Sequence, residues 1–396
     1  MEQKRSIEDV EFVGKCALVR VDFNVPLDGE GNITDDSRIR AALPTINHIL
    51  DEGGKVILMS HLGRPKGQRI GRMSLRPVAR RLSRLLRQEV VMAPDCIGEE
   101  VRSMVDDLPQ AGVILLENLR FHPGEAANDP EFAKQLAQLG DVYVDDAFAT
   151  AHRNHASVIG VPEHLSPAVA GFLMWKEINY FIKALATPFR PLAAVLGGAK
   201  VTDKTRAIEK LVEKVDKILL GGGMAFTFLT ALGYDVGKSL VEENVIDLAR
   251  EIMENARERK VPIYLPVDSI AAEKRDETAV TSVVTIQEFP ENLMGLDIGP
   301  ATIVLFREAL ADAKTIVWNG PMGVFELSPF NKGTFSMIDT LAHSNALTIL
   351  GGGDTDTAVH TTGKSEMIDY ISTGGGAFLK LLEQGELPGI NALQDK

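Results

Sequence analysis

Short apolar segments rich in valine, isoleucine and leucine recur along this 396-residue chain and constrain its fold more than any other feature. They lack the period-two alternation of half-exposed strands, which is typical of strands buried on both faces of a parallel sheet. Residues 75–86 and 244–258, between such segments, show helical periodicity instead. The predicted strands are residues 16–21, 55–59, 89–92, 112–116, 141–145, 192–196, 216–220, 262–265, 281–285, 314–318 and 347–350.

Alternation of strands and helices over this length predicts an α/β fold with two doubly wound, parallel-sheet domains of the Rossmann-like kind. The chain is also longer than one hydrophobic core usually serves. A helical segment that stops at Thr187-Pro188 predicts a semi-rigid linker. We therefore expect an N-terminal domain over 1–170, a linker helix over 171–188 and a C-terminal domain over 189–376.

The apolar segments end differently in the two halves of the chain. Before residue 170 they lead into acids, amides, arginines and histidines, whereas after residue 190 they lead into glycines. Arginine offers a fixed fork for phosphate or carboxylate, and glycine lets backbone N–H groups approach an oxyanion closely. Ligands of such folds bind at the carboxyl ends of strands, where both kinds of segment lie. The sequence therefore predicts two sites for anionic ligands.

Composition limits the classes of partner. The formal net charge of −13 argues against nucleic acid or an anionic membrane. No apolar run is long enough to span a membrane, and the N-terminal segment lacks the apolar core of a signal peptide. Cys16 and Cys96 form no metal-binding pattern, and we interpret both as buried thiols in a reducing, cytoplasmic environment.

Two nucleotide-binding motifs are absent. The sequence contains neither GxxxxGK[ST] nor GxGxxG, which disfavours a P-loop NTPase and a standard dinucleotide-binding unit. A two-domain nicotinamide-dependent dehydrogenase is thus the weaker enzymatic alternative. A solute-binding protein that closes on an organophosphate is an alternative outside enzymology, but it would usually need a secretory signal.

Ten segments resemble signatures of the phosphoglycerate kinase family, in order and over the whole chain. They are RVDFNVP (20–26), SHLGRPKG (60–67), LLENLRFHPGE (115–125), DDAFATAHRNHAS (145–157), LGGAKVTDK (196–204), LLGGGMAFTFL (219–229), MGLDIGP (294–300), VWNGPMGVFE (317–326), GGGDT (351–355) and STGGGA (372–377). The resemblance implies a glycolytic and gluconeogenic enzyme. It would reversibly transfer a phosphoryl group from 1,3-bisphosphoglycerate to MgADP, giving 3-phosphoglycerate and MgATP. It also implies a monomer whose tail, residues 377–396, returns to the first domain.

By this resemblance the N-terminal domain binds the phosphoglycerate. A small, highly charged acid needs several cations, and arginines from separate strand ends can converge on it. For single arginines the alternative is a surface ion pair with Asp35, Asp36, Asp145 or Asp146. The implied binding residues are Asp22, Phe23, Asn24, Arg38, His61, Leu62, Gly63, Arg64, Arg120 and Arg153.

The resemblance places the nucleotide in the C-terminal domain. Lys204 and Thr355 would lie near the phosphates, Glu326 would accept from the ribose, and glycines would leave room for the adenine. Asp354 would lie near Mg²⁺, a cation that prefers oxygen ligands, although a helix N-cap is an alternative role. The implied residues are Gly197, Lys204, Gly221, Gly222, Gly295, Glu326, Gly352, Gly353, Asp354 and Thr355.

The implied reaction needs no general base, because both attacking groups are already anions at neutral pH. Its requirements are positioning and cationic stabilisation of the transferring phosphoryl group. The proposed catalytic groups are Arg38, Lys200 and the backbone at Gly375, and transfer distances imply hinge closure. Trp175, Phe378 and Lys380 depart from the family pattern, which leaves details of that motion open.

Overall fold

The computed structural model describes residues 3–396 as two compact units. The first consists of the chain up to Asn179 together with Glu386–Lys396, and the second is Tyr180–Gly385. Within the residues of the expected linker, 171–188, the chain forms a helix over Phe172–Phe181 and a π-helical segment over Ile182–Ala186. The domain boundaries inferred from the sequence stay a prediction; in the structure the segment that returns to the first unit begins at Glu386.

The first unit is built on a six-stranded parallel sheet with the strand order β3-β4-β2-β1-β5-β6. The order reverses direction between β1 and β5, and ligands of open α/β sheets bind at such a point. Its strands are β1 (Cys16–Arg20), β2 (Lys55–Met59), β3 (Val90–Met92), β4 (Val113–Leu115), β5 (Val142–Asp145) and β6 (Ala168–Ala170).

The second unit contains another six-stranded parallel sheet, ordered β15-β14-β13-β7-β8-β9, and a three-stranded antiparallel sheet, ordered β11-β10-β12. The parallel sheet has the strand order of a dinucleotide-binding Rossmann fold, with its reversal between β7 and β13. The strands are β7 (Leu192–Leu196), β8 (Lys217–Leu220), β9 (Ile263–Tyr264), β10 (Asp268–Ala272), β11 (Ser282–Thr285), β12 (Met294–Ile298), β13 (Thr315–Asn319), β14 (Leu347–Gly351) and β15 (Tyr370–Ile371).

Helices connect successive strands of the two parallel sheets. Those of the first unit are α1 (Ser37–Asp51), α2 (Arg76–Leu86), α3 (Glu99–Asp106), α4 (Pro123–Ala127), α5 (Pro130–Ala137), α6 (Val161–His164) and α15 (Pro388–Asn391). Helix α7 (Phe172–Phe181) spans the boundary. Those of the second unit are α8 (Thr205–Val212), α9 (Met224–Ala231), α10 (Ile246–Glu258), α11 (Pro300–Leu310), α12 (Lys332–Ala342), α13 (Gly353–Thr362) and α14 (Gly376–Gln384).

The predicted α/β class with two parallel sheets is confirmed, with one local correction. Each predicted strand has a counterpart within one or two residues, but residues 282–285 lie in the antiparallel sheet and are mostly exposed. The apolar pattern of that segment therefore does not indicate a doubly buried strand. The pattern missed β6, β10, β12 and β15, which are very short or carry polar residues and glycine.

Two further expectations concern solvent exposure and membranes. Cys96 is buried as expected, whereas Cys16 is only partly buried, and both are free thiols. Between residues 3 and 396, no helix is both long enough and apolar enough to cross a membrane.

The start of α7 is held by a buried carboxylate from the end of β5. Asp146 Oδ1 accepts hydrogen bonds from the backbone N–H groups of Leu173 (2.8 Å) and Met174 (3.3 Å). Gly171 permits this approach, since a Cβ there would lie 2.3 Å from the same oxygen. Burial raises the pKa of the Asp146 carboxyl from 3.8 to about 7, although the hydrogen bonds oppose the shift.

We expect Asp146→Asn to remove a pH-dependent loss of stability. Because folding raises the Asp146 pKa, the folded state holds its proton where the unfolded state has lost it. The free energy of unfolding of the wild type should therefore fall relative to that of the variant as pH rises from about 4 to about 7. Above about pH 7 the difference between the two free energies should stay constant. Urea unfolding across this range measures the difference. Asp247→Asn, at a highly exposed side chain, is the control. A difference in the free energy of unfolding between wild type and Asp146→Asn that does not change with pH would contradict the prediction.

Candidate active site

The carboxyl ends of four adjacent strands carry the predicted substrate residues of the first unit. Strands β4, β2, β1 and β5 are neighbours in the sheet, and parallel strands end at the same edge. Asp22 follows β1, His61 follows β2, Arg120 lies in the 3₁₀ turn Leu119–Phe121 after β4, and Arg153 follows β5. Sheet topology thus brings together residues that are far apart in sequence.

Asp22 is the anionic centre of this edge. The Arg38 guanidinium, from the start of α1, donates to Asp22 Oδ2, and His61 Nδ1 lies 4.0 Å from Asp22 Oδ1. The Arg38 side chain is 42% exposed. Its partner is therefore another predicted site residue and not Asp35 or Asp36, the surface partners considered as alternatives.

Hydrogen bonds from side chains to backbone groups join the strand-end loops to one another. Asn24 Oδ1 accepts from the Gly63 N–H (2.8 Å), and Arg120 Nη1 donates to the Gly63 carbonyl (2.7 Å). Asn118 Oδ1 accepts from the N–H groups of Leu62 (3.2 Å) and Arg120 (3.1 Å). Leu62 and Gly63 therefore contribute through their backbone, and Asn118 is a supporting residue that sequence reasoning missed.

The arginines at this edge repel one another. Burial, and then the charges of Arg153 and Arg20, lower the pKa of Arg120 to about 10. Burial, and then the charges of Arg64 and Arg20, lower the pKa of Arg153. Arg153 Nε is buried without a hydrogen-bond partner, whereas Arg64 is exposed. Asp22 alone does not balance this charge, so the arrangement favours binding of a multivalent anion.

Arg20 is the main residue of this site that sequence reasoning missed. It is fully buried at the end of β1, where Nε donates to Ser157 Oγ (2.9 Å) and Nη1 donates to the Val21 carbonyl. Its Nη2 lies 3.1 Å from His61 Nδ1. An arginine that ends an apolar strand in the segment RVDFNVP was the available signal.

Arg20 fixes the tautomer of His61. A guanidinium can only donate, so His61 Nδ1 accepts and the ring proton lies on Nε2. Burial, followed by the charges of Arg20, Arg120 and Arg153, lowers the His61 pKa well below 6.5. The imidazole is therefore a neutral hydrogen-bond donor through Nε2–H and not a cation.

A buried acid supports the loop that carries Arg153. Glu125 accepts hydrogen bonds from Ser157 N (3.0 Å) and Ser157 Oγ (2.7 Å), and His155 Nδ1 lies 3.4 Å from its carboxylate. Burial opposes ionisation of Glu125, but His155, Arg20 and Ser157 outweigh it and lower its pKa. His155 thus supports the loop that carries Arg153.

In the second unit, Lys204 ties together the ends of β7 and β13. Its Nζ donates to the carbonyls of Gly197 (2.6 Å) and Asn319 (2.8 Å). Burial lowers its pKa to about 8, although Asp354 and Asp203 oppose the shift. The lysine thus lies at the strand-order reversal, where Rossmann-like folds bind ligands.

Two adjoining cavities open beside this lysine. One has a volume of about 410 Å³, and its lining includes Gly222, Gly295 and Glu326. The other has a volume of about 340 Å³. Its lining includes the predicted catalytic positions Lys200 and Gly375 and the predicted nucleotide-binding residues Lys204, Gly352, Gly353, Asp354 and Thr355. Asp354 lines both cavities.

Gly197 and Gly221 have a packing role behind the cavity wall. A Cβ at Gly197 would lie 2.1 Å from the Pro321 carbonyl oxygen, and one at Gly221 would lie 2.4 Å from Met322 Sδ. These glycines therefore allow close approach of the loop after β13. The expected contact with a flat ring applies better to Gly222 and Gly295, which line the cavity.

Two helices begin at the smaller cavity. Helix α13 has Gly352 as its N-cap (φ 101°), and α14 has Gly375 (φ 49°), so neither cap residue offers a side chain to the free N–H groups. Helix N-termini favour anions. Asp354 lies inside the first turn of α13 and is not its N-cap, which removes the alternative role considered for it. Thr355 Oγ1 accepts from Gly320 N (2.8 Å) and anchors this turn.

Asp297, in the second unit, is a further residue that sequence reasoning missed, although it lies in the segment MGLDIGP. Its carboxylate is buried in the wall of the larger cavity and accepts from Ile298 N (2.9 Å) and Gly333 N (2.6 Å). Burial raises its pKa to about 8. Asp297 therefore joins β12 to the start of α12 at this wall.

An arginine-rich strand edge in one α/β unit, and two adjoining cavities beside Lys204 and two helix N-termini in the other, are features of a two-domain α/β phosphotransferase. A family model described as "Phosphoglycerate kinase" matches residues 7–385. The chain belongs to the phosphoglycerate kinase family.

Relatives and solved structures agree over nearly the whole chain. A phosphoglycerate kinase of Geobacter metallireducens is 59% identical and covers 99% of this chain and 98% of its own. One of Aquifex aeolicus is 55% identical over the full length of both. The phosphoglycerate kinase structure from Coxiella burnetii has a TM-score of 0.91 and 41% identity, and that from Pyrococcus horikoshii has 0.84 and 34%, each covering 98% of both chains.

Family membership confirms the predicted activity. The chain is a kinase of glycolysis that transfers a phosphoryl group to or from a carboxyl group, with a nucleotide as the other substrate. The comparisons give no support to the dehydrogenase alternative.

We expect His61 to stay neutral, with its proton on Nε2, as pH falls through 6.5. The buried Arg20 guanidinium blocks protonation of Nδ1 and disfavours a second charge. Nitrogen-15 NMR of histidine-labelled protein identifies the tautomer and its titration, and His61→Gln assigns the signal. A protonated Nδ1, or a midpoint near 6.5, would show that Arg20 does not hold the ring in this state.

Proposed function

We propose that the strand-end arginines of the first unit bind the phosphoglycerate substrate and that the two cavities of the second unit bind ADP or ATP. The observation that carries this assignment is the group of mutually repelling arginines, Arg20, Arg64, Arg120 and Arg153, which outnumber the acids that offset their charge, Asp22 and Glu125. Such a group is unfavourable until an anion with several charges occupies it. 1,3-Bisphosphoglycerate and 3-phosphoglycerate are anions of this kind.

Within this site the residues have different tasks. Arg64, Arg120 and Arg153 would bind phosphate or carboxylate oxygens. His61 Nε2–H would donate to a substrate oxygen, and Arg20 would act behind it as a positioning residue. Asp22 and Asn24 would orient the site and accept from the substrate hydroxyl, with Phe23, Leu62 and Gly63 shaping the backbone around it.

In the second unit the larger cavity suits a nucleoside and the smaller one its phosphates. Glu326 and the backbone at Gly222 and Gly295 line the first, so an adenine and ribose can bind there. The second combines Lys200 with the N-termini of α13 and α14, which together favour a polyphosphate.

The residues present also fit Mg²⁺. Asp354 offers an exposed carboxylate at the junction of the two cavities, and Mg²⁺ binds through one or two carboxylates together with substrate phosphates. We propose that Asp354 holds the ion of MgADP and MgATP. The ion would neutralise phosphate charge during transfer.

Arg38, Lys200 and the backbone at Gly375 are the proposed catalytic groups. The attacking carboxylate or phosphate oxygen carries its own charge, so the protein removes no proton from it. Fixed cations and helix N–H groups stabilise the charge that spreads over the transferring phosphoryl oxygens. Hinge closure, by which such a reaction excludes water, stays a prediction.

We also propose that the chain acts as a monomer in the cytoplasm, without a nucleic-acid or membrane partner. Support comes from the family resemblance and the acidic net charge of −13.

We expect Arg38→Ala to lower kcat far more than it raises KM for 3-phosphoglycerate. A cation beside the transferring group interacts most strongly in the transition state, so its removal should cost about 3–4 kcal/mol of transition-state stabilisation. Steady-state kinetics with varied 3-phosphoglycerate separates the two constants.

Arg40→Ala is the matched control for that variant. Arg40 lies in the same helix, is similarly exposed and pairs with Asp36. Its loss should leave both constants nearly unchanged. Retention of most of the wild-type kcat by Arg38→Ala would reduce Arg38 to a binding or surface residue.

We expect Asp354→Asn to raise the Mg²⁺ concentration needed for activity and to leave binding of 3-phosphoglycerate nearly unchanged. The amide keeps the size of the side chain but loses its charge. Magnesium titrations of activity, with calorimetry of 3-phosphoglycerate binding, make the comparison. Asp356→Asn, in the same helical turn, removes a carboxylate that pairs with His360 and should keep the wild-type Mg²⁺ dependence. Equal Mg²⁺ dependence for all three proteins would rule out Asp354 as the ligand.

A further inference from the structure

Three side chains with different ligand atoms meet on the first unit, outside the residues assigned above. Asp95 and Cys96 follow β3, and His122 follows the turn that carries Arg120. A carboxylate oxygen of Asp95, Sγ of Cys96 and a ring nitrogen of His122 all lie within 4.8 Å of one another. The three residues are called the Asp-Cys-His cluster below.

The cluster has a buried side and an exposed side. Cys96 is fully buried, and its Sγ donates to the Glu117 carbonyl (2.9 Å). His122 Nε2 lies 2.6 Å from Asp95 Oδ1, and these two side chains are 26% and 37% exposed. The His122 ring also stacks on Phe132, with centroids 4.9 Å apart, which restricts its orientation. These contacts restrict the positions of the three ligand atoms, and an ion can reach them from solvent on the exposed side.

We propose that the Asp-Cys-His cluster binds a divalent cation of the zinc class. Sulfur, imidazole nitrogen and carboxylate oxygen together are typical of Zn²⁺ sites, and three protein ligands leave the fourth tetrahedral position for water. Mg²⁺ and Ca²⁺ prefer oxygen ligands, so this cluster and Asp354 select different ions.

Binding replaces internal contacts by bonds to the ion. The Cys96 S–H bond breaks, its proton leaves to solvent, and the thiolate electron pair forms the metal–sulfur bond. The proton that His122 Nε2 shares with Asp95 Oδ1 also leaves to solvent, and a neutral ring takes up one proton from solvent at Nδ1, so that the Nε2 lone pair and the carboxylate oxygen both bind the ion. These two atoms move apart, because ligand atoms at bonds of about 2.0 Å lie about 3.3 Å apart in a tetrahedron. No oxidant or further reactant is needed.

Arg69 weakens this site and so offers a test of its position. Its Nη1 lies 3.6 Å from Asp95 Oδ2, and it also donates to the Pro94 carbonyl. A cation bound by Asp95 would meet this positive charge. Removal of the charge should therefore strengthen binding, which a loss of structure would not do.

Cobalt titration of the metal-depleted full-length protein tests the proposal. Co²⁺ takes tetrahedral sites of the zinc kind and gives a near-ultraviolet charge-transfer band only when a thiolate binds it. We expect this band to saturate at one equivalent and to disappear when Zn²⁺ is added. Dialysis with Zn²⁺ alone, in the absence of nucleotide, measures the affinity.

Variants locate the ligands. Cys96→Ser and His122→Asn should abolish the band and weaken Zn²⁺ binding by more than the roughly 10–100-fold that partners outside the coordination sphere cost. Cys16→Ser removes the other thiol and should leave the band and the Zn²⁺ affinity unchanged. Arg69→Gln should bind Zn²⁺ more tightly than the wild type. Circular dichroism and activity without Zn²⁺ establish that each variant is folded.

Three results would overturn the proposal. These are a wild-type protein that binds Co²⁺ without a thiolate band or fails to bind it, a folded Cys96→Ser variant with wild-type affinity, and a band that depends on Cys16. Partial unfolding of Cys96→Ser leaves His122→Asn as the deciding variant, since that side chain is part-exposed. Each outcome is independent of the kinase assignment, because no substrate is present.

Discussion

The Arg20 guanidinium is the interaction on which the first site depends. It is fully buried, and its hydrogen bonds reach Ser157, the backbone at Val21 and the ring of His61, which lie on three different strand-end segments. A buried charge without partners would be very costly, so this network holds the loops in one arrangement. It also adds positive charge beneath the arginine-lined strand edge and makes His61 a neutral donor. The positions of the loops, the added positive charge and the tautomer of His61 thus all depend on Arg20.

The site that we propose in the second unit relies on backbone groups instead of arginines. Gly197 and Gly221 let the loop after β13 approach the strand ends, and Lys204 bridges the carbonyls of Gly197 and Asn319. Helix N-termini replace the arginine forks of the first unit. The ligands that we propose for the two units differ in the same way: a triphosphate with its metal needs positive potential that is spread along a chain, whereas a compact organic acid needs several discrete forks. Under this proposal, the difference accounts for the arginines in one half of the sequence and the glycines in the other.

The sequence predicts the parallel strands and their loops well, because doubly buried strands and family segments leave strong patterns. It does not reveal Arg20 or Asp297, since burial of a charged residue at a strand end depends on partners far along the chain, such as Ser157 and Gly333. The antiparallel strand at 282–285 misleads for the opposite reason: an apolar pattern on an exposed edge resembles a buried one. Local pattern therefore predicts elements, while the supporting network needs the tertiary structure.

Phe378 and Lys380, the departures from the family pattern in α14, are both accommodated by local contacts. A lysine near a helix N-terminus opposes the dipole, but Lys380 Nζ lies 2.6 Å from Glu383 Oε2 and is neutralised within its own helix. Phe378 is buried against Gly351, where a Cβ would lie 2.1 Å from its ring. This contact joins the start of α14 to the end of β14, directly before α13. The aromatic ring thus connects the two helices whose N-termini line the smaller cavity, and the change keeps both helix starts at the site that we propose for the phosphates.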